Sequence, residues 1–299
     1  MSPVAQSCNS CHLYKTAFQD NLLMAVPDRS YPDDRPTLPR NTLSFFNIVY
    51  APVFRWDGSN TDLVDVMAFP FSEANMNLGS DKPSAQATLA HRLTVDVPGY
   101  LPLFSAAYGV DLRTLDPAAV WRYAGRALMA YARLAISRDA DFDRWNAGDD
   151  SAMSAQAIAG LEVFRGAGRC IACHSGPFFT DFHFHNISSA LPDASGHRKD
   201  EGRALVTGKA SDGGEFLTPT LRGAYDSAPY FHDGSMPGLA AVLRHLASDA
   251  VRADPNHDAL VDQPITLSSD DITNLGAFLQ ALRGAPVDGN IVVPPPGYP

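Results

Sequence analysis

Hydrophobic positions recur with helical spacing in three stretches of the chain and rarely alternate as a half-buried strand requires. Over residues 117–137, Val120, Ala124, Ala127, Leu128, Tyr131, Leu134 and Ala135 share a face, and Asp116-Pro117 supplies a cap with proline in the first turn. The polar run Asn146-Ala147-Gly148-Asp149-Asp150 is expected to break that helix and to mark a domain boundary. Ser154 then opens a second helix, Ala155 to Phe164. A third follows the capping-box spacing Ser268-x-x-Asp271, with Ile272, Leu275, Phe278, Leu279 and Leu282 in register until Gly284-Ala285-Pro286. Between these, residues 20–42 are rich in Pro, Asp and Arg and read as an irregular loop. Residues 43–56 are apolar and aromatic and close on the turn Trp56-Asp57-Gly58. Val292 to Pro299 is Pro-rich and reads as extended. The expected fold is mainly α with long loops.

A length of 299 residues suggests two domains of ordinary size. The boundary at the polar run gives 1–148 and 149–285, with 286–299 as an extended tail. Hydrophobic residues at 45% against 19% charged ones suffice for packed cores. A net charge of −10 repels phosphate backbones, so nucleic acid is excluded as a partner. The same charge suits a cationic electron-donor protein, or serves solubility alone. No apolar run is long enough to span a bilayer.

All four cysteines fall in two Cys-x-x-Cys-His motifs, Cys8/Cys11/His12 and Cys170/Cys173/His174. This pattern attaches a c-type haem. Two thiols at this spacing each add to one porphyrin vinyl group, and the adjacent histidine comes to lie under the ring where its imidazole binds iron. A zinc site would need further ligands and a different histidine spacing. A disulfide or thioredoxin-like pair would leave the histidine unexplained. Two covalent haem c groups are therefore expected. Their attachment in bacteria follows export, which implies a periplasmic protein. Met1 to Ser7 has neither a basic start nor an apolar stretch, so a leader is expected to be missing from this chain.

Other motifs appear in a fixed order. Pro39-Arg40-Asn41-Thr42, Phe54-Arg55-Trp56-Asp57-Gly58 and Phe69-Pro70 follow the first haem motif. The run Phe179 to Asn186, Glu201-Gly202-Arg203, Thr218 to Gly223 and Ala228 to Ser235 follow the second. From about residue 7 to residue 283 this series resembles the bacterial di-haem cytochrome c peroxidase family, which includes the MauG-type enzymes. The resemblance implies two cytochrome c-like haem domains: a peroxidatic haem first, then an electron-transfer haem served by a small donor protein, a cytochrome c or a cupredoxin. It implies a tryptophan between the haems, matched by Trp56, and a calcium ion between the domains. Asn41 matches the calcium's side-chain ligand and the carbonyls of Ser227 and Pro229 match its backbone ligands, all hard oxygen donors. Family members often form homodimers. Arg203 and Arg222 have the geometry to pair with haem propionates or to form ordinary salt bridges. His183, His185 and His232 are expected to bond or pack near the second haem rather than bind its iron.

Three departures from the family pattern bear on function. Asn75 takes the place of the glutamate that moves protons during peroxide cleavage, and an amide cannot do that work. Glu73 is the only nearby acid and is the substitute candidate. Leu246 stands where the second haem takes its other axial ligand; His245 is the neighbouring alternative, and Met236 is expected to pack. No histidine lies between His12 and Asn41, which implies a first haem open to peroxide. The leading expectation is a di-haem c-type peroxidase-like oxidoreductase that reduces hydrogen peroxide with electrons from a donor protein. The alternatives are a MauG-type enzyme oxidising residues of a protein substrate, and a non-catalytic electron-transfer or sensor protein.

Overall fold

The computed structural model describes residues 7–20, 40–72, 76, 78, 79, 81–285, 287 and 292. The tail expected to be extended and most of the 20–42 loop lie outside these residues. Eight α-helices of six residues or more carry the described chain: Leu63–Ala68, Lys82–His91, Tyr100–Tyr108, Pro117–Ala132, Asp141–Asn146, Ala155–Arg165, Leu239–Leu246 and Ser269–Ala281. The described strands are Phe184–His185 and Phe216–Leu217, paired antiparallel. The chain is mainly α with long loops, as its periodicity predicts.

Side-chain caps set the helix starts. Asp116 accepts from the amide of Ala119, with Pro117 in the first turn. Ser154 accepts from Ala157. Ser268 and Asp271 form the reciprocal capping box that their spacing predicts. The helix expected over 117–137 ends at Ala132, and the 146–150 run does not terminate it. A separate short helix, Asp141–Asn146, intervenes. The chain leaves the long helix because Asn47 holds residues 135–137 in an irregular turn: its amide donates to Ala135 O (3.0 Å) and its Oδ1 accepts from Ser137 N (3.1 Å).

Packing gathers these helices into two regions. In the first, Pro117–Ala132 crosses Leu63–Ala68 at Gly125, where a β-carbon would meet Val64 O at 2.5 Å. Trp121, Leu89, Ala68 and Leu78 fill that contact. In the second, Ala155–Arg165 crosses Ser269–Ala281 at Gly160, where a β-carbon would meet Asn274 O at 2.0 Å. Leu161, Phe164, Leu275, Phe278 and Leu282 are buried there. Phe142 and Trp145 pack on this second cluster although they precede the expected boundary at 148.

Candidate di-haem site

Each Cys-x-x-Cys-His motif begins as a single helical turn. The His12 amide donates to Cys8 O at 2.9 Å, and the His174 amide donates to Cys170 O at 2.9 Å. The four thiols are unpaired, so none is consumed in a disulfide. After each histidine the chain folds back to offer a phenylalanine carbonyl to the imidazole. His12 Nδ1 lies 2.9 Å from Phe18 O, and His174 Nδ1 lies 2.9 Å from Phe179 O. A carbonyl only accepts, so Nδ1 carries the proton in both rings and Nε2 is left with its lone pair. Burial pushes both imidazoles below their ordinary pKa, against the smaller opposing effect of those carbonyls. Two neutral rings with Nε2 available are the donors that haem iron needs. The residues fit the cofactor.

Phe18 and Phe179 both sit at positive φ, 62° and 52°, where a bulky residue is rare. Burial holds them there. Phe18 is stacked on Phe45 at 4.0 Å and edges Phe46 at 5.1 Å. Phe179 is wedged among Phe142, Phe164 and Phe278, with centroids 5.2–5.9 Å away. The core packing thus fixes the carbonyl that orients each imidazole.

Trp56 is buried. Its indole N–H donates to Asn41 O at 2.9 Å, and its own carbonyl accepts from Leu217 N at 2.8 Å. The segment after Leu217 grips the second haem loop: Thr180 Oγ1 donates to Thr218 O (2.7 Å), and Thr220 Oγ1 donates to Phe178 O (2.6 Å). Asn41 Nδ2 donates to Pro229 O at 2.8 Å, so Trp56, Asn41 and Pro229 come together. Asn41 is buried, and its Oδ1 has no partner among the described residues. Ser227 is buried in the same stretch as Pro229.

Three predicted residues are engaged by partners within the protein. Arg222 donates from both terminal nitrogens to Asp143 (2.9 and 2.7 Å) and from Nε to Pro177 O (2.7 Å), the ordinary salt bridge that was one of its two expected roles. Arg203 Nη1 donates to the carbonyls of Asp57 and Gly58 (2.9 and 3.2 Å), and its guanidinium lies over Phe184. His245 Nε2 lies 2.8 Å from Ile187 O, so the nitrogen that would bind iron donates to a carbonyl. Met236 is half-buried and bridges Tyr230 through its backbone. His232 is buried and stacks on Phe216 at 3.8 Å. His185 is held by Asp181 and Asp258, whereas His183 is exposed. Glu73 and Asn75 lie outside the described residues.

The sequence reading missed the seam between the regions. Arg40 bridges Asp57 Oδ2 and Asp200 Oδ2, each at 2.6 Å, with all three side chains largely buried. Burial alone would raise both carboxyls; the guanidinium, with hydrogen bonds from Ser59 to Asp57 and from the Gly202 amide to Asp200, more than offsets it and holds them below the usual carboxylate range. Partners 160 positions apart leave no local signal; only the Arg40 in the quoted Pro-Arg-Asn-Thr motif hinted at a role.

Comparison with known proteins agrees with this geometry. Residues 2–151 match the family model for the di-haem cytochrome c peroxidase, and residues 215–249 match that for RoxA-like, cytochrome c-like proteins. The methylamine utilization protein MauG of Methylorubrum extorquens is 32% identical over 94% of this chain and 73% of its own. The cytochrome c551 peroxidase of Pseudomonas aeruginosa is 32% identical over 93% of this chain and 73% of its own. The crystal structure of a MauG-like protein associated with microbial copper homeostasis superposes with a TM-score of 0.78 at 24% identity, covering 97% of this chain and 86% of that one, and so shares the fold. With two covalent haem sites on a mainly helical scaffold, the chain belongs to the di-haem cytochrome c peroxidase family of oxidoreductases.

Proposed function

We propose that the chain reduces hydrogen peroxide at the haem held by Cys8, Cys11 and His12, with electrons that enter through the haem held by Cys170, Cys173 and His174. The carrying observation is Trp56, whose two backbone-directed bonds join the Asn41 segment to the 217–220 segment that grips the second haem loop. An indole at that junction is a suitable relay. When bound, c-type haem iron supplies the electron-transfer and peroxide chemistry. The protein's part is to fix two neutral imidazoles, to exclude water around them and to hold the relay between them. Two cytochrome c-like domains, 1–148 and 149–285, each carry one haem in this reading. Haem attachment after export makes the site of action the periplasm.

Calcium fits the junction. Asn41 Oδ1 is a buried oxygen without a partner, and its amide already touches Pro229 O, while the Ser227 carbonyl belongs to the same turn. A cation held by Asn41, Ser227 and Pro229 would satisfy that oxygen. Proton delivery at the first haem falls to Glu73, since Asn75 cannot perform it. Arg203 remains the better-placed arginine for a propionate, because Arg222 is engaged by Asp143. His245 would have to release Ile187 O before binding the second iron. A donor cytochrome c or cupredoxin is the proposed partner, and a homodimer the proposed assembly.

A second reading has support from the absence of any histidine between His12 and Asn41 and from the likeness to MauG: an open first haem that oxidises residues of a partner protein. Low-temperature electron paramagnetic resonance of the oxidised di-haem protein tests both. A high-spin ferric signal that disappears with one equivalent of peroxide is expected. Steady peroxide consumption with a reduced donor cytochrome then favours the first reading over the second. Two low-spin signals indifferent to peroxide would remove both.

A further inference from the structure

The second haem loop carries a charged cluster that its first counterpart lacks among the described residues. Cys173, Asp181 and His185 have their Sγ, carboxylate and ring atoms within 4.8 Å of one another. A divalent ion could use such a trio, but Cys173 is committed to the haem thioether, which leaves too few ligands. What remains is a histidine between two aspartates. His185 Nδ1 lies 2.5 Å from Asp258 Oδ2, and Nε2 lies 2.9 Å from Asp181 Oδ2. Ionised carboxylates only accept, so both ring nitrogens must donate, and the ring is an imidazolium.

Backbone bonds hold both carboxylates in place. Asp181 Oδ1 accepts from His183 N (2.9 Å), and Asp258 Oδ1 accepts from Leu260 N (2.8 Å). Each aspartate therefore turns its second oxygen to the ring. The three side chains are only 13–22% exposed, so water screens the cluster weakly. Burial opposes the charge on His185, while Cys173, Asp258 and Asp181 favour it and raise the ring's pKa in the haem-free chain. Thioether formation removes the Cys173 contribution and leaves the two carboxylates in place.

We infer that His185, clamped between Asp181 and Asp258 beside Cys173, is a positioning residue that raises the reduction potential of the second haem. Ferric haem carries one more positive charge than ferrous haem. A fixed positive ring at its edge favours the ferrous form, and fixed carboxylates favour the ferric form. The trio sums to −1; without the ring it would stand at −2. The inference rests on haem attachment at Cys173 and not on peroxide turnover.

Spectroelectrochemical titration of both haems, in the full di-haem protein without peroxide, tests it. His185→Gln should move the second haem's midpoint to more negative values, and Asp258→Asn should move it to more positive ones. The first haem should stay put in both. His183→Gln is the control: its ring is 78% exposed and 3.9 Å from the same Asp181, and it should change neither haem. Circular dichroism and a haem count of two per chain establish that each variant is folded and loaded. A clasp with only a structural role would shift both variants in one direction or in neither, and either result overturns the inference.

Discussion

The loop after Cys11 and the loop after Cys173 use the same backbone bonds to aim an imidazole, yet they are held by different surroundings. In both, the histidine amide closes a turn on the first cysteine and Nδ1 meets a phenylalanine carbonyl. Around the first, the supporting aromatics are Phe45 and Phe46, supplied by an irregular segment. Around the second, they are Phe142, Phe164 and Phe278, all three from helices. The second loop is also tied by Thr180, Thr220 and the His185 cluster. The proximal half of a haem site is thus a repeated local device. What differs is the packing and charge around it.

The largest expected effect separates the two histidines by role. His12→Ala should lower peroxide turnover by roughly a hundredfold or more, since even supporting partners of metal ligands cost about 10–100-fold. It should also abolish the spectral response of oxidised protein to one equivalent of peroxide. His174→Ala should preserve that single-turnover response and slow only turnover driven by a reduced donor. Stopped-flow absorption on both variants, each with its haem content measured, reads the difference. Equal loss of the single-turnover response in both would erase the division of labour.

A smaller effect probes the supports. Phe18→Ala and Phe179→Ala should each cost about 3–5 kcal/mol of stability, the usual penalty for emptying a buried phenylalanine site. Alanine keeps the β-carbon, so the cost of positive φ at both positions stays. The loop held by helices should recover less by collapse, so Phe179→Ala should show the larger loss in urea unfolding followed by circular dichroism. A larger loss for Phe18→Ala would mean that the irregular segment is the stiffer support.

Much of this contrast was legible beforehand, and the reasons are physical. The haem motifs and the caps at Asp116, Ser154 and Ser268 depend on residues within four positions of one another, so the sequence displays them directly. The end of the 117–132 helix was misread because Asn47, some ninety positions earlier, decides it. Arg222 was singled out by the chemistry of its guanidinium and His245 by motif distance, but their partners Asp143 and Ile187 come from segments 79 and 58 positions away. Trp56 and Asn41 were singled out separately; their direct bond is a product of the fold.

The smallest expected effect lies where the two regions meet. Arg40 holds Asp57 and Asp200 below their usual range, so the folded chain takes up their protons less readily than the unfolded chain does. The stabilisation is complete above about pH 4, the value of a free aspartate, and drains away as pH falls through the lower folded values. Arg40→Met leaves both carboxylates without their partner and should cost about 2 kcal/mol at pH 7, in line with charged hydrogen bonds. The deficit should shrink on acidification, because protonated aspartates no longer need the guanidinium. Thermal melts of parent and variant between pH 7 and pH 3 would show two curves converging at the acid end. A gap of constant size would mean that Arg40 contributes through packing over Phe216, 5.8 Å from its guanidinium, and that charge does not hold the two haem regions together.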